Sequence, residues 1–404
     1  MKKLNQNGSH ILAVAVIIVV VIIIGLIGIR VFSKVKDSRK EKAGGDGAGY
    51  AAHMLDGCSG KGPVKLTHVP IDMKDVSTIV PLGALAGAHV TPIDHLYFYP
   101  TDMQNRDAAP VYAMADGFIK SVQRRSVRVD TGNAQKPEYQ VIFQHNCSTI
   151  TYFDLLTSLD PAIASKVDFK DGDVNGDLNI PVKAGQVVGR VGAQSLDTAV
   201  YNMDMTLKGF ANPASYKSES FKLHTDDFFK YFSQADQSSM QAKNMRKFQP
   251  YSGKIDYDAP GKLIGNWFVE GTNGYLGGGQ NYADSNGQGY WSTHLAIVPD
   301  ATVENQTDLS FGDYQGKAMQ FVAAKGSPDP ANVDTKAGLV KYEYVKFNIP
   351  GPSLTGSVPV QETTVLGTAL FQISADGKLR AEAFPGKTAD QVSAFTSAAK
   401  TYVR

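Results

Sequence analysis

The chain has 404 residues, 43% of them hydrophobic, with a formal net charge of +1 and a pI near 7.7. That length accommodates two or three domains with separate cores, and the balanced charge excludes the strongly basic surface of a general nucleic-acid binder. Two cysteines, Cys58 and Cys147, are too few for a disulfide scaffold and lack zinc-ribbon spacing. They can form one long-range disulfide in an exported domain or stand as two buried thiols.

Residues 1–10 form a short tail carrying Lys2 and Lys3. Residues 11–29 are uncharged and almost wholly Ile, Val, Leu, Ala and Gly; as a helix they span about 28 Å, so a single transmembrane helix is expected over 11–31. The run is too long for the apolar region of a signal peptide and no Ala-x-Ala site follows, which favours an uncleaved anchor. Arg30, Lys34, Lys36, Arg39, Lys40 and Lys42 come next, and by the positive-inside rule they hold the C-terminal side in the cytoplasm. The resemblance given below implies the opposite, a cell-membrane protein whose C-terminal domains lie outside the cytoplasm. Residues 32–60, charged and then rich in Gly and Ala, read as a flexible tether.

From 61 to 210 short β-type runs alternate with turns, at residues 96–99, 110–115, 118–122, 139–144, 149–153, 187–191 and 198–201. Asp116-Gly117 and Ala184-Gly185 supply tight-turn signals, so this part is expected to be an antiparallel β domain. Residues 211–250 read as a partly helical connector, with Thr225 as N-cap and Asp226 and Asp227 in the first turn. Seven further strands with Gly-rich turns are expected over 251–404, a barrel or sandwich. A closing helix follows, with Thr388 as N-cap and Val392, Phe395, Ala399 and Tyr402 as its apolar stripe. The fold class is thus mainly β.

Three patterns recur in order. His89 and Asp94, with His95, precede the aromatic run Leu96-Tyr97-Phe98; "PVYAMADGFIKSV" reads as strand, turn, strand; and "VKAGQVVGRVG" repeats that pattern before Ser195-Leu196-Asp197. Over roughly residues 80–205 this resembles the LytM/lysostaphin-type zinc metalloendopeptidases, built on a duplicated hybrid motif and acting on bacterial cell-wall peptides. The resemblance implies a zinc set of His89, Asp94 and Asp197, with Asp94 one residue beyond the family's spacing. It also implies that the two catalytic histidines are replaced, by Leu155 in "TYFDLLTSL" and by Ser195 in "SLDTAVYN". A catalytic zinc needs three protein ligands and an open position for water, and loss of the neighbouring acid or base costs roughly 10²–10⁴-fold in rate.

The expectation is therefore a membrane-anchored, exported, non-catalytic peptidase-fold protein that binds cell-envelope material or regulates its hydrolysis. An active zinc endopeptidase is the alternative.

Two other patterns compete with this reading. Asp171, Asp173, Asn175 and Asp177 place oxygens at alternate positions like the start of a calcium loop, but Val182 stands where a bidentate Glu belongs, which favours a solvated turn. In "LIGNWF", Gly265 and Trp267 open an up-and-down β unit similar to lipocalin-like barrels, which hold a small apolar ligand. Trp267 as ordinary core is the simpler reading.

Overall fold

The computed structural model describes residues 51–129, 135–169, 174–278, 289–352 and 363–404. The expected membrane segment 11–31, together with Asp171 and Asp173 of the calcium-like loop, lies outside the described residues. Among the described residues no helix is long and apolar enough to cross a membrane.

The first unit contains strands β1 (Val76–Val80), β2 (Leu96–Pro100), β3 (Ala109–Tyr112), β4 (Gly117–Val129), β5 (Gln135–Gln144) and β6 (Thr149–Leu156). It continues with β7 (Ser158–Leu159), the one-turn helix α1 (Pro161–Ala164), β8 (Val174–Asn175), β9 (Ile180–Val182), β10 (Val187–Val191) and β11 (Leu196–Asn202). One sheet runs β1-β2-β11-β6-β5-β4-β8 with β9 also on β4, and a smaller sheet runs β3-β10-β7.

Alternation explains which side each strand buries. In β2, Leu96, Phe98 and Pro100 enter the core while Tyr97 and Tyr99 face the other way. The tight-turn signals predict that each strand-turn-strand pattern closes as a hairpin, and neither does. The first strand of each pairs with the second strand of the other, β3 with β10 and β4 with β9. The two turns lie side by side, where Asp116 accepts from the Ala184 amide at 2.9 Å and pairs with Lys183 at 2.7 Å.

Cys58 and Cys147 are joined, with Cα atoms 5.1 Å apart and a sequence separation of 89. Such a cross-link contributes about 4 kcal/mol in the chain-entropy account. Ala51 and Met54, within the expected tether, are already buried.

The connector differs from expectation. No helix starts at Thr225, which bridges to Tyr201, and the Asp226 carboxylate is engaged by Tyr231, Asn202 and Lys230. The segment is instead a kinked 3-10 stretch (Pro213–His224), a short 3-10 turn (Phe229–Tyr231) and helix α2 (Gln234–Lys243). Ser233 caps α2 by accepting from the Asp236 amide at 3.2 Å. Phe228, Phe229, Tyr231 and Phe232 are all buried in the first unit's core.

Residues 251–404 form a closed barrel of eight strands: β12 (Gly265–Val269), β13 (His294–Pro299), β14 (Thr307–Tyr314), β15 (Lys317–Ala323), β16 (Val340–Lys346), β17 (Gly367–Ile373), β18 (Leu379–Pro385) and β19 (Lys400–Val403). The eighth strand comes from the stretch expected to be the closing helix. Thr388 does form a capping box, but only over the 3-10 turn Ala389–Gln391. β19 then pairs with β12 and β18 and seals the barrel. Two unpaired sheet edges offer more hydrogen bonds to this segment than a short isolated helix does.

Trp267, Leu295, Phe371 and Tyr342 fill the barrel interior. At its closed end Trp267 donates to the Leu263 carbonyl at 2.9 Å, with the Arg404 guanidinium 3.9 Å above its ring.

Candidate functional site

The loop between β1 and β2 carries His89 and Asp94. It folds back on itself, with the Gly83 amide on the Ile93 carbonyl at 2.8 Å and the His89 amide on the Ala86 carbonyl at 2.9 Å. Gly83, at φ 86°, admits the loop against the chain at Lys254: a Cβ there would stand 2.2 Å from the Lys254 carbonyl oxygen. The loop tip docks on the barrel, where Gln320 accepts from the Gly87 amide at 3.0 Å and donates to its carbonyl at 2.9 Å. Leu85 packs on Ala296, Val298 and Val322 beside it. The site therefore lies at the seam between sheet and barrel.

Register brings the other groups to it. Asp197 of β11 stands opposite Tyr97 on one side and Asp154 on the other. The Tyr97 hydroxyl sits between the two imidazoles, 3.2 Å from His89 Nε2 and 3.1 Å from His95 Nε2. His95 also lies 3.3 Å from Asp94 Oδ1 and 3.6 Å from Asp197 Oδ2. Ser195 donates to Asp197 at 3.3 Å. Lys222, only 2% exposed, reaches Asp94 Oδ1 at 3.4 Å. Asp154 is held by Arg125 at 2.7 Å and by Gln140 at 3.1 Å.

Burial sets most of the electrostatics. It lowers the His89 imidazole to about 3, helped by His95 and Lys222, so this ring is neutral. Burial would raise Asp94, but Lys222 and then His95 outweigh it and hold the carboxylate below its usual range. Asp197 goes the other way: burial, reinforced by Asp154, pushes it well above the ordinary carboxylate value.

Of the expected site residues, His89, Asp94 and Asp197 are joined in one network with His95 and Tyr97. The donor set does not fit a zinc ion. Among the described residues no group of three His, Cys, Asp or Glu is placed to hold a metal, and Asp94 already faces an ammonium. Leu155 lies at φ 63° on the end of β6, with its carbonyl accepting from Gln194 at 2.6 Å. In the calcium-like loop, the Asn175 side-chain oxygen Oδ1 accepts from the Asp168 backbone amide at 2.8 Å and Asp177 pairs with His53 at 2.6 Å. Both side chains are thus already engaged.

Phe221 stacks on Tyr201 at 4.9 Å, and Tyr201 stacks on Tyr152 at 5.7 Å. Sequence reasoning missed Lys222, Arg125 and Asp154. Lys222 sits in a polar run with no local signal. Asp154 and Tyr97 lay inside the quoted windows and could have been found from strand alternation.

No family model matches the chain, and no curated protein matches it. Among solved structures it is similar to a zinc containing peptidase from Vibrio cholerae, at 18% identity and a TM-score of 0.19, over 35% of this chain and 38% of that one. It is also similar to lysostaphin in its NMR solution structure, at 12% identity and a TM-score of 0.23, over 64% of this chain and 93% of that one. Likenesses this low carry no functional argument.

Proposed function

We propose that this is a membrane-anchored, exported protein whose first unit has a peptidase-like fold without peptidase chemistry, and which binds cell-envelope material or regulates its hydrolysis. One observation carries the reading. Leu155 and Ser195 stand where the sequence resemblance calls for proton-transferring histidines, and the buried Lys222 ammonium faces Asp94 where the resemblance calls for a metal. Leu155 has no proton to give, and a placed acid or base is worth roughly 10²–10⁴-fold. The Cys58–Cys147 bond supports export, since such bonds persist in oxidising compartments, and the apolar run at 11–29 supports anchoring.

The test is incubation of the full chain, in detergent, with cross-linked cell-wall peptidoglycan and added zinc. No new amino termini and co-sedimentation with the wall are expected. Release of amino termini that is lost in His89→Ala would establish the alternative, an active zinc endopeptidase.

A second reading, carriage of a small apolar ligand by the barrel, is favoured by a cavity of about 340 Å³ lined by Phe311, Tyr314, Ala383 and Tyr402. Enhancement of an apolar fluorescent dye, abolished by Ala383→Trp, is its expected signature.

A further inference from the structure

The Lys222 side chain is nearly sealed from solvent. Removing an ammonium from water and ordering a four-carbon stem are both costly, and the cost is offset only where an anion meets it. The anion here is Asp94, 3.4 Å away, the residue that the resemblance assigns to a metal. On its other side the ammonium lies 5.2 Å from the centroid of the Tyr275 ring. Tyr275 belongs to the β12–β13 connection and packs on His294 at 5.0 Å and Tyr290 at 5.4 Å. One charge therefore touches both the sheet's acidic site and the barrel's aromatic cluster.

We propose that the Lys222 ammonium is the resident cation of this site: it supplies the positive charge that Asp94 faces, and it fastens the β12–β13 connection of the barrel over the sheet. This rests on the non-catalytic reading above and goes further, because it assigns the site a structural use. A divalent metal at Asp94 would have to displace the ammonium or leave two uncompensated cations together in a buried space.

The experiment is a thermal-unfolding cycle on the full chain with Lys222→Met, Asp94→Asn and the double variant, beside titration of the unmodified protein with zinc alone. Met keeps the length and the apolar contact with Tyr275 while removing the charge. Lys222→Met is expected to lower the midpoint by several degrees, and adding Asp94→Asn is expected to restore most of the loss, because the buried carboxylate that has lost its ammonium is then gone as well. The unmodified protein is expected to show no zinc-induced shift.

The proposal is overturned if Lys222→Met costs the same with Asp or Asn at position 94, or if the unmodified protein takes up one zinc per chain that Asp94→Asn abolishes. Hydrolysis of wall peptides with the coupling intact would overturn the non-catalytic reading alone. Absence of coupling without hydrolysis would overturn the resident cation alone.

Discussion

In the barrel every strand pairs with its neighbour in sequence, from β12 and β13 through to β18 and β19, whereas in the first unit β2 lies between β1 and β11 and β6 lies between β11 and β5. The contrast extends to what each interior holds. The barrel is filled with aromatic and aliphatic side chains. The first unit has a comparable core on one face of its sheet, but the opposite face gathers Asp94, His95, Asp154 and Asp197 from distant segments. Non-local pairing is what places groups far apart in sequence within hydrogen-bond range. Local pairing needs no such meeting, and here it encloses an apolar core.

The largest expected effect tests the barrel. Trp267→Ala removes a fully buried ring and the surface on which Arg404 stacks, at a cost of roughly 3–5 kcal/mol. Trp291 is the other of the two tryptophans, so its fluorescence in a urea titration follows the barrel alone. An equal shift in a probe of the first unit would show that the seam couples the two cores and would break the comparison.

A smaller effect is expected in the first unit. Arg125→Met leaves Asp154, whose side chain is 7% exposed, without its guanidinium, and breaking such a buried pair costs about 3 kcal/mol. Gln140 and the Leu155 amide still bond Asp154, which places the loss at the lower end of the range for buried pairs. Urea unfolding followed by far-ultraviolet circular dichroism measures it, and a change below about 1 kcal/mol would class the pair with exposed ion pairs.

A third effect compares the two regions in pH. His89 at the site and His294 at the start of β13 are both lowered from 6.5 to about 3, in each case chiefly by burial. Between those values the unfolded chain binds protons that the folded one does not, so stability is full above 6.5 and falls as pH drops toward 3. The slope is about 1.4 kcal/mol per pH unit for each histidine. Replacing either residue by Gln should remove its share of the slope, measured by thermal unfolding between pH 6.5 and 4. An unchanged slope in both variants would mean that the imidazoles are not held neutral.

Strand positions were largely legible in the sequence, because alternation and Gly-containing turns are local signals: all seven runs named in the first unit are strands, as are the seven in the barrel. The failures were also local readings. The spacing of Val392, Phe395 and Tyr402 suits a helix, yet Val392 packs on Leu370 and Phe384 outside the barrel while Tyr402 points inside. Thr225 and Asp226 look like a helix start, but their hydrogen bonds go to Tyr201, Asn202 and Tyr231.

Local signals in the sequence marked where the chain extends and where it turns, and the resemblance added the expectation that Leu155 and Ser195 replace two histidines. The tertiary structure alone decided which strands pair across the two strand-turn-strand units, which segment closes the barrel, and that Lys222 faces Asp94. The physical reason is that strand and turn propensity depend on neighbours in the chain. Partner choice and the burial of a charge depend on edges and counter-charges supplied by residues far along it, as Lys222 and Asp94 supply them to each other.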